Sequence, residues 1–172
     1  MATTPLFHLS LPDSDGPEHF APLQIALEGL TKVNEWHIER ALKKAMKGEG
    51  NAIAPLYASG VRYKEDPPGE ENWKDVHAVI RDGHADCDRL TAWRAAECRV
   101  AAKMARRPEL YADPVLKWQW IPRAVMLAQG YPGRLLPADG VWLVHCLVRF
   151  PDGSVEDPSK ILGMGGEYME KI

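Results

Sequence analysis

The sequence predicts an α+β fold in which helices come first and the strands of an antiparallel sheet follow. Residues 18–47 carry apolar side chains at helical spacing, and residues 87–107 are rich in strong helix formers. After Pro108 the helical period stops, and residues 141–150 form the clearest strand, which is apolar on both faces and therefore central in its sheet. Because helices and strands are segregated along the chain, an antiparallel sheet is favoured.

Length and composition indicate one ordinary globular domain, residues 1–172, with no need for a metal or a disulfide. The chain has 21 basic and 24 acidic residues and a net charge of −3, which gives no reason to expect nucleic acid or a membrane as partner. No apolar run approaches the ~20 residues that cross a bilayer, and the first residues do not resemble a signal peptide. Three cysteines fit no disulfide framework, so we expect a cytoplasmic protein.

Residues 1–55 are expected to form an N-terminal arm and a long helix. The arm is rich in Pro and Gly, and its apolar residues 6–11 suit an edge strand. Lysines gather in the last turn of the helix over 18–47, where they suit the helix dipole, and Gly48 ends it. We interpret these lysines as a solvated face.

The middle of the chain predicts a connector and two further helices. Residues 51–69 are loop-rich, with strand-like residues 60–63 inside them. A short helix is expected over residues 70–81, and Gly83 is a natural stop for it. Asp86 is a favourable N-cap for the third helix, which begins at Cys87.

Three strands are expected in the last part of the chain: residues 118–128, 141–150 and 154–157. Pro and Gly are frequent between the first two, and a Pro-Asp-Gly turn at residues 151–153 joins the last two. The tryptophans in and before these segments are expected in the core: Trp93, Trp118, Trp120 and Trp142.

Cys87 occupies a position that suits a reactive thiol. Unpaired backbone N–H groups and the positive end of the helix dipole favour the thiolate there, and the same N–H groups can bind an oxyanion. Asp86 and Asp88 act against the thiolate, so a cationic partner is required. A lone cysteine at a helix start is more often a structural thiol. Whether Cys87 is reactive therefore depends on whether the second half of the chain supplies that partner.

That partner is expected to be His145, a polar residue inside an otherwise apolar strand. Asp157 follows beyond the turn. If the turn contains an odd number of residues, Leu147 faces Asp157 across the ladder. His145 and Asp157 then share one face as diagonal neighbours within hydrogen-bond reach, whereas an even turn would separate them.

A cysteine at a helix start, a histidine in a strand and an aspartate after the next turn, in that order, resemble the transglutaminase-like superfamily, whose core is papain-like. The matching segments are residues 83–87, 144–146 and 156–159, and the resemblance covers a core of about residues 60–162. The approach to the cysteine is longer than the tightest family form. The chain is most similar to short single-domain members from bacteriophages and prophages, which implies a host cytoplasm if it is phage-encoded.

The resemblance implies a catalytic triad of Cys87 as nucleophile, His145 as base and Asp157 as the residue that orients the imidazole. The expected reaction is acyl transfer on a protein or peptide amide through a thioester, as in a transglutaminase or in a peptidase or amidase. No cofactor or metal is expected, and residues 72–73 are candidates for a second oxyanion donor. The alternative is a catalytically inactive fold that serves as a phage structural or interaction protein.

A zinc site formed by His84, Cys87, His145 and Cys146 is a further alternative. Neighbouring residues of a strand point to opposite faces, which disfavours ligation of one ion by both His145 and Cys146. For the same reason Cys146 is expected on the other face of the sheet, away from the triad. Cys98 lies three helical turns beyond Cys87 and is expected to be a core thiol.

Overall fold

The structure, a computed structural model, describes residues 8–10, 17, 20–66, 72–128, 130 and 133–165 of the chain. Its α-helices are α1 Phe20–Met46, α2 Val76–Asp82, α3 Cys87–Ala105, α4 Arg123–Ala128 and α5 Pro158–Ile161. Its strands are β1 His8–Ser10, β2 Arg62–Tyr63, β3 Asn72–Lys74, β4 His84–Ala85, β5 Asp113–Pro122, β6 Gly140–Arg149 and β7 Val155–Glu156. Long helices precede the main sheet, so the α+β class is confirmed.

The main sheet has the order β5-β6-β7 and is antiparallel, as predicted. β5 and β6 pair along their whole length, from Asp113 opposite Arg149 to Pro122 opposite Gly140. β7 is much shorter and pairs only with the last two residues of β6. Two small strand pairs lie outside this sheet: β1 pairs with β3 antiparallel, and β2 pairs with β4 in parallel.

The largest core cluster lies between α1, α3 and one face of the β5–β6 hairpin. Its buried side chains come from one face of α1, from α3 and from the strands β3, β5 and β6: Phe20, Leu23, Leu27, Leu30, Trp73, Ala92, Leu116 and Cys146. Leu27 and Leu30 are fully buried, and each such side chain contributes about 1.5–3 kcal/mol by leaving water. This packing fixes α3 against β6.

The start of α3 is held by the local signals that predict it. Gly83 ends α2 in the left-handed conformation, with φ 73°, which a residue without a Cβ adopts without strain. Asp86 then caps α3, because its Oδ1 accepts the N–H of Cys87 at 2.5 Å. Both features agree with the sequence analysis.

Two element boundaries were predicted wrongly. α2 begins at Val76 because the residues before it form β3, whose partner is β1. Residues 118–128 are not one strand, since β5 starts at Asp113 and ends at Pro122. Pro122 pairs with the first residue of β6, so the ladder has no partner beyond it. The following residues, rich in Ala, Met and Leu, turn into α4.

The tryptophans divide between the core and the surface. Trp93 is fully buried, as predicted, and Trp142 is half-buried. The prediction is wrong for Trp118 and Trp120, which are 48% and 39% exposed. The ring of Phe20, the first residue of α1, stacks on the ring of Trp118, with 4.5 Å between the ring centroids. Because α1 begins at Phe20, it does not cover the part of β5 that follows Trp118.

The long helix α1 has one buried and one charged face. Its lysines at positions 43 and 44 are exposed, as is Lys47 just beyond its end, and Lys43 lies 3.8 Å from Glu39. This agrees with the solvated face expected from the sequence. In the part of the chain that the structure describes, no helix is both long and apolar enough to cross a bilayer.

A buried polar cluster joins α1 to the start of α2. His37 and Asp75 are 4% and 0% exposed, and His37 Nε2 lies 3.7 Å from Asp75 Oδ2. Asn34 Oδ1 accepts the N–H of Val76 at 2.8 Å. Burial, and then the charge of His77, lower the pKa of His37 against the opposing attraction of Asp75. The fold therefore favours the neutral imidazole.

The lowered pKa of His37 predicts a loss of stability on acidification. The unfolded chain binds a proton at this histidine near pH 6.5, whereas the folded chain does so only at lower pH. The contribution of His37 to the free energy of unfolding should therefore fall as pH drops below about 6.5. His37→Gln removes this titration, so the free energy of unfolding measured in urea, plotted against pH from 7 to 5, should fall in the parent relative to the variant. Equal slopes would contradict the prediction.

Candidate active site

His145 and Asp157 are joined by a hydrogen bond. His145 Nε2 lies 2.9 Å from Asp157 Oδ2, and the histidine is only 5% exposed. The second carboxylate oxygen of Asp157 accepts the N–H of Lys160 at 3.1 Å and so caps α5. Both oxygens of Asp157 are thus engaged, one by the imidazole and one by a helix start, which fixes the direction of the bond between the two side chains.

The strand register explains this contact, as the sequence predicted. Val148 pairs with Glu156, and continuing that register places Leu147 opposite Asp157. The Phe150 N–H donates to Ser154 O at 2.9 Å, so residues 151–153 form the turn, an odd number. His145 therefore meets Asp157 diagonally across the end of β7.

Cys87 completes the predicted group of three. It is half-buried at the first position of α3, and its thiol is within hydrogen-bonding contact of His145. Because His145 Nε2 is engaged by Asp157, the other ring nitrogen, Nδ1, is the atom available to the sulfur. The structure brings Cys87, His145 and Asp157 together in the order thiol, imidazole, carboxylate.

The thiol of Cys87 also contacts Cys146, which the sequence analysis placed away from the triad. Cys146 is 2% exposed and does pack in the core beneath α1 and α3. Yet Cys87 makes hydrogen-bonding contacts with both His145 and Cys146. Since neighbouring strand residues point to opposite faces, an atom that touches both lies beside the strand edge. Within the described residues β7 pairs with β6 only at Val148 and Arg149, which leaves room for α3 there.

The pKa of the Cys87 thiol is raised well above its ordinary value. The largest cause is the hydrogen bond with Cys146, followed by burial. The contact with His145 acts in the opposite direction and is outweighed, while the charge of Asp86 adds to the rise. The prediction that the helix start favours the thiolate is therefore wrong for the resting protein, because it did not include a second thiol.

His145 carries the positive charge that the sequence analysis required. Burial disfavours the imidazolium, but the hydrogen bonds with Asp157 and Cys87 outweigh it and raise the pKa of His145 to about 9. Burial likewise opposes the charge on Asp157, yet the bonds from His145 and the Lys160 N–H lower its pKa. At neutral pH the site therefore holds a thiol, an imidazolium and a carboxylate.

Arg89 is a further member of the site that the sequence analysis missed. It is 3% exposed, with its Nη2 2.5 Å from Asp66 Oδ1 and its Nε 3.7 Å from Asp88 Oδ1. The backbone N–H of Asp66 donates to Asp86 Oδ2 at 3.1 Å. Arg89 thus balances the carboxylates around the start of α3 and ties a distant segment to the N-cap of Cys87. No local pattern links Asp66 to a helix start twenty residues later.

Tyr63 is a second group beside Cys87 that the sequence did not single out. It is half-buried, and its backbone pairs with Ala85 just before the start of α3. Burial, and then the negative charges of Asp86 and Cys87, raise its pKa. The phenol is therefore a protonated hydrogen-bond donor near the thiol. Trp73, in the segment proposed as an oxyanion donor, is 2% exposed in the core cluster against which Cys87 packs.

The alternative of a zinc site at Cys87 finds no support in the part of the chain that the structure describes. The His84 ring is bonded to Asp82 O at 2.8 Å. Among the described residues, no group of three or more His, Cys, Asp or Glu side chains is arranged to hold a metal ion. Cys98 is 6% exposed in a separate cluster, and burial raises its pKa to about 11, as suits the core thiol that was predicted.

No family model, no curated protein and no solved structure matches this chain. The resemblance to the transglutaminase-like superfamily, carried by residues 83–87, 144–146 and 156–159, therefore stays a prediction. The functional interpretation depends on the geometry of the site.

The contact between the two thiols predicts that removing Cys146 makes Cys87 more reactive. Cys146→Ala takes away the largest cause of the raised pKa, so the pH midpoint for alkylation of Cys87 by iodoacetamide should fall. The midpoint of the parent is expected above the ~8.5 of a free thiol. Alkylation is measured on the tryptic peptide of residues 82–89, which contains only this cysteine.

Cys98→Ala is the matched control, because it removes a buried thiol from outside the site. It should leave the alkylation midpoint of Cys87 at the parent value. A midpoint unchanged by Cys146→Ala, or lowered equally by both substitutions, would contradict the thiol contact.

Proposed function

We propose that the protein is a cysteine-dependent acyltransferase with a transglutaminase-like, papain-like core, acting on protein or peptide amides. One observation carries the proposal. The thiol of Cys87, at a helix start, contacts the imidazole of His145, and the Nε2 atom of that imidazole lies 2.9 Å from Oδ2 of the half-buried Asp157. Nucleophile, base and orienting group in mutual hydrogen-bond contact are the arrangement that activates a thiol for covalent catalysis. Cys87, His145 and Asp157 take these three roles.

The reactive form lies one proton away from the resting form. At neutral pH the imidazole is protonated and the Cys87 thiol keeps its proton against Cys146. Loss of one proton from this pair leaves a single proton shared by sulfur and imidazole, and the form with that proton on the imidazole, the thiolate–imidazolium couple, is nucleophilic and carries the acid needed for the leaving group. The proposed activity should therefore rise with pH from neutral toward the alkaline range.

In the acylation step, the Cys87 sulfur attacks the amide carbonyl and forms a C–S bond while the carbonyl oxygen takes up the electron pair. The His145 imidazolium then gives its proton to the departing amine as the C–N bond breaks. A thioester remains, and His145, now neutral, takes a proton from the attacking amine or water that resolves it. Asp157 keeps the imidazole in one orientation throughout.

The oxyanion requires donors other than the Cys87 backbone amide in the resting structure. That N–H is already bonded to Asp86 Oδ1 at 2.5 Å. The Tyr63 hydroxyl, protonated and close to the charges of Cys87 and Asp86, is the side-chain donor that we assign to this role. An amine acceptor gives cross-linking and water gives hydrolysis, and the same triad serves both.

A second candidate function is a non-catalytic structural or interaction protein, of a phage if the gene is phage-encoded. The raised pKa of Cys87 and the thiol that packs against it favour this alternative, because an inert thiol needs no thiolate. The two candidates differ in one respect that can be measured: only the enzyme forms an acyl adduct on Cys87.

The triad predicts which substitutions abolish acyl transfer. The protein is incubated at pH 7 to 9.5 with glutamine-containing peptides and a fluorescent primary amine, and both amine incorporation and peptide hydrolysis are followed. Cys87→Ala and His145→Ala should reduce the rate by about a thousandfold or more, and Asp157→Asn by about 10²–10⁴. The acyl-enzyme is detected as an added mass on the peptide of residues 82–89.

Cys98→Ala, which lies outside the triad, serves as the control and should retain the rate of the parent. Turnover that survives Cys87→Ala would exclude this cysteine as nucleophile. An absence of both turnover and acyl adduct across the peptide set and the pH range would reject the enzyme and leave the structural protein.

A further inference from the structure

The pair formed by Cys87 and Cys146 has chemistry that the acyl-transfer steps do not use. Its two sulfurs are in hydrogen-bonding contact, and Cys87 packs on the core cluster that contains Cys146. The two residues differ in access, since Cys87 is half-buried whereas Cys146 is 2% exposed. Cys87 is therefore the less deeply buried residue of the pair.

We infer that Cys87 and Cys146 form a reversible disulfide when the protein meets a peroxide, so that the pair is an oxidation site. In the first step the Cys87 sulfur attacks one peroxide oxygen, an S–O bond forms, and the O–O bond breaks. The departing oxygen takes up a proton and leaves as water. Cys87 is then a sulfenic acid, two electrons more oxidised, and the peroxide has been reduced.

In the second step the Cys146 sulfur attacks the sulfenic sulfur of Cys87. An S–S bond forms, the S–O bond breaks, and the hydroxide leaves as water with the proton of Cys146. Two thiols and one hydrogen peroxide molecule thus give one disulfide and two water molecules. A dithiol reductant returns both thiols.

The positions of the two residues suit this bond. A disulfide requires sulfurs that can approach to about 2.05 Å and side chains that point toward each other. The thiols of Cys87, at the start of α3, and Cys146, on β6, are already in hydrogen-bonding contact, and Cys87 packs against the cluster that contains Cys146. Cys98 is no substitute, because it follows Cys87 by eleven residues on the same helix, a rise of about 16 Å.

The disulfide would remove the sulfur of Cys87 from its contact with His145 and leave the bond between His145 and Asp157 in place. It would also protect Cys87, because a sulfenic acid that meets a neighbouring thiol is captured before it reaches the sulfinic acid. That the oxidised form is an inactive reserve of the enzyme rests on the proposed function; the disulfide itself does not.

The test uses the folded full-length chain, treated with hydrogen peroxide and then with N-ethylmaleimide to block the remaining thiols before digestion. Trypsin places the three cysteines on separate peptides, residues 82–89, 95–99 and 135–149. We expect one product, peptide 82–89 linked to peptide 135–149 with the loss of two hydrogens. Dithiothreitol should restore both free peptides.

Two variants make the outcome decisive. In Cys98→Ala the same cross-link should form at the rate of the parent. In Cys146→Ala, Cys87 should instead progress to the sulfinic acid, which dithiothreitol does not reverse. The proposal is overturned if the parent gives sulfinic acid on residues 82–89 as fast as Cys146→Ala does, or if its cross-links involve peptide 95–99 or join two chains.

The cross-linking assay needs no substrate, so its result is separable from the search for acyl transfer. A reversible cross-link in a protein without acyl-transfer activity would support the oxidation site and reject the enzyme. Acyl transfer in a protein whose Cys87 oxidises to the sulfinic acid without cross-linking would do the reverse.

Discussion

The contact between the start of α3 and the edge of β6 is the interaction on which the candidate site depends. α3 is held from several sides, since Leu90, Thr91 and Trp93 are fully buried and its apolar residues enter three separate core clusters. The position of Cys87 is thereby set by the packing of the domain. A nucleophile on a helix and a histidine on a strand are placed more accurately than residues on loops would be.

Two neighbours of Cys87 shift the pKa of its thiol in opposite directions. His145, whose charge is stabilised by Asp157, favours the thiolate, whereas Cys146 and burial favour the thiol. Arg89 limits the repulsion from the surrounding carboxylates by pairing with Asp66. In the resting site both the Cys87 thiol and the His145 imidazole are therefore protonated at neutral pH. The reactivity of Cys87 depends on the loss of a proton from this pair. The same arrangement places a second sulfur, that of Cys146, beside the proposed nucleophile Cys87.

The sequence predicted the features that depend on local pattern. Helical spacing gave α1, a high content of strong helix formers gave α3, Asp86 gave the cap, and the period of two in the strands gave the bond between His145 and Asp157. Features set by docking could not be predicted. The end of β5 follows from the length of its partner, and the contact of Cys87 with Cys146 follows from the way α3 docks on β6.

The most direct test of the site is a ¹⁵N NMR titration of the His145 side chain in the folded protein. The structure predicts a pKa of about 9, which falls in Asp157→Asn and falls again when Cys87 is replaced by Ala, because both partners stabilise the imidazolium. A histidine that titrates near its ordinary value of about 6.5, and that neither substitution affects, would show that thiol, imidazole and carboxylate do not act together.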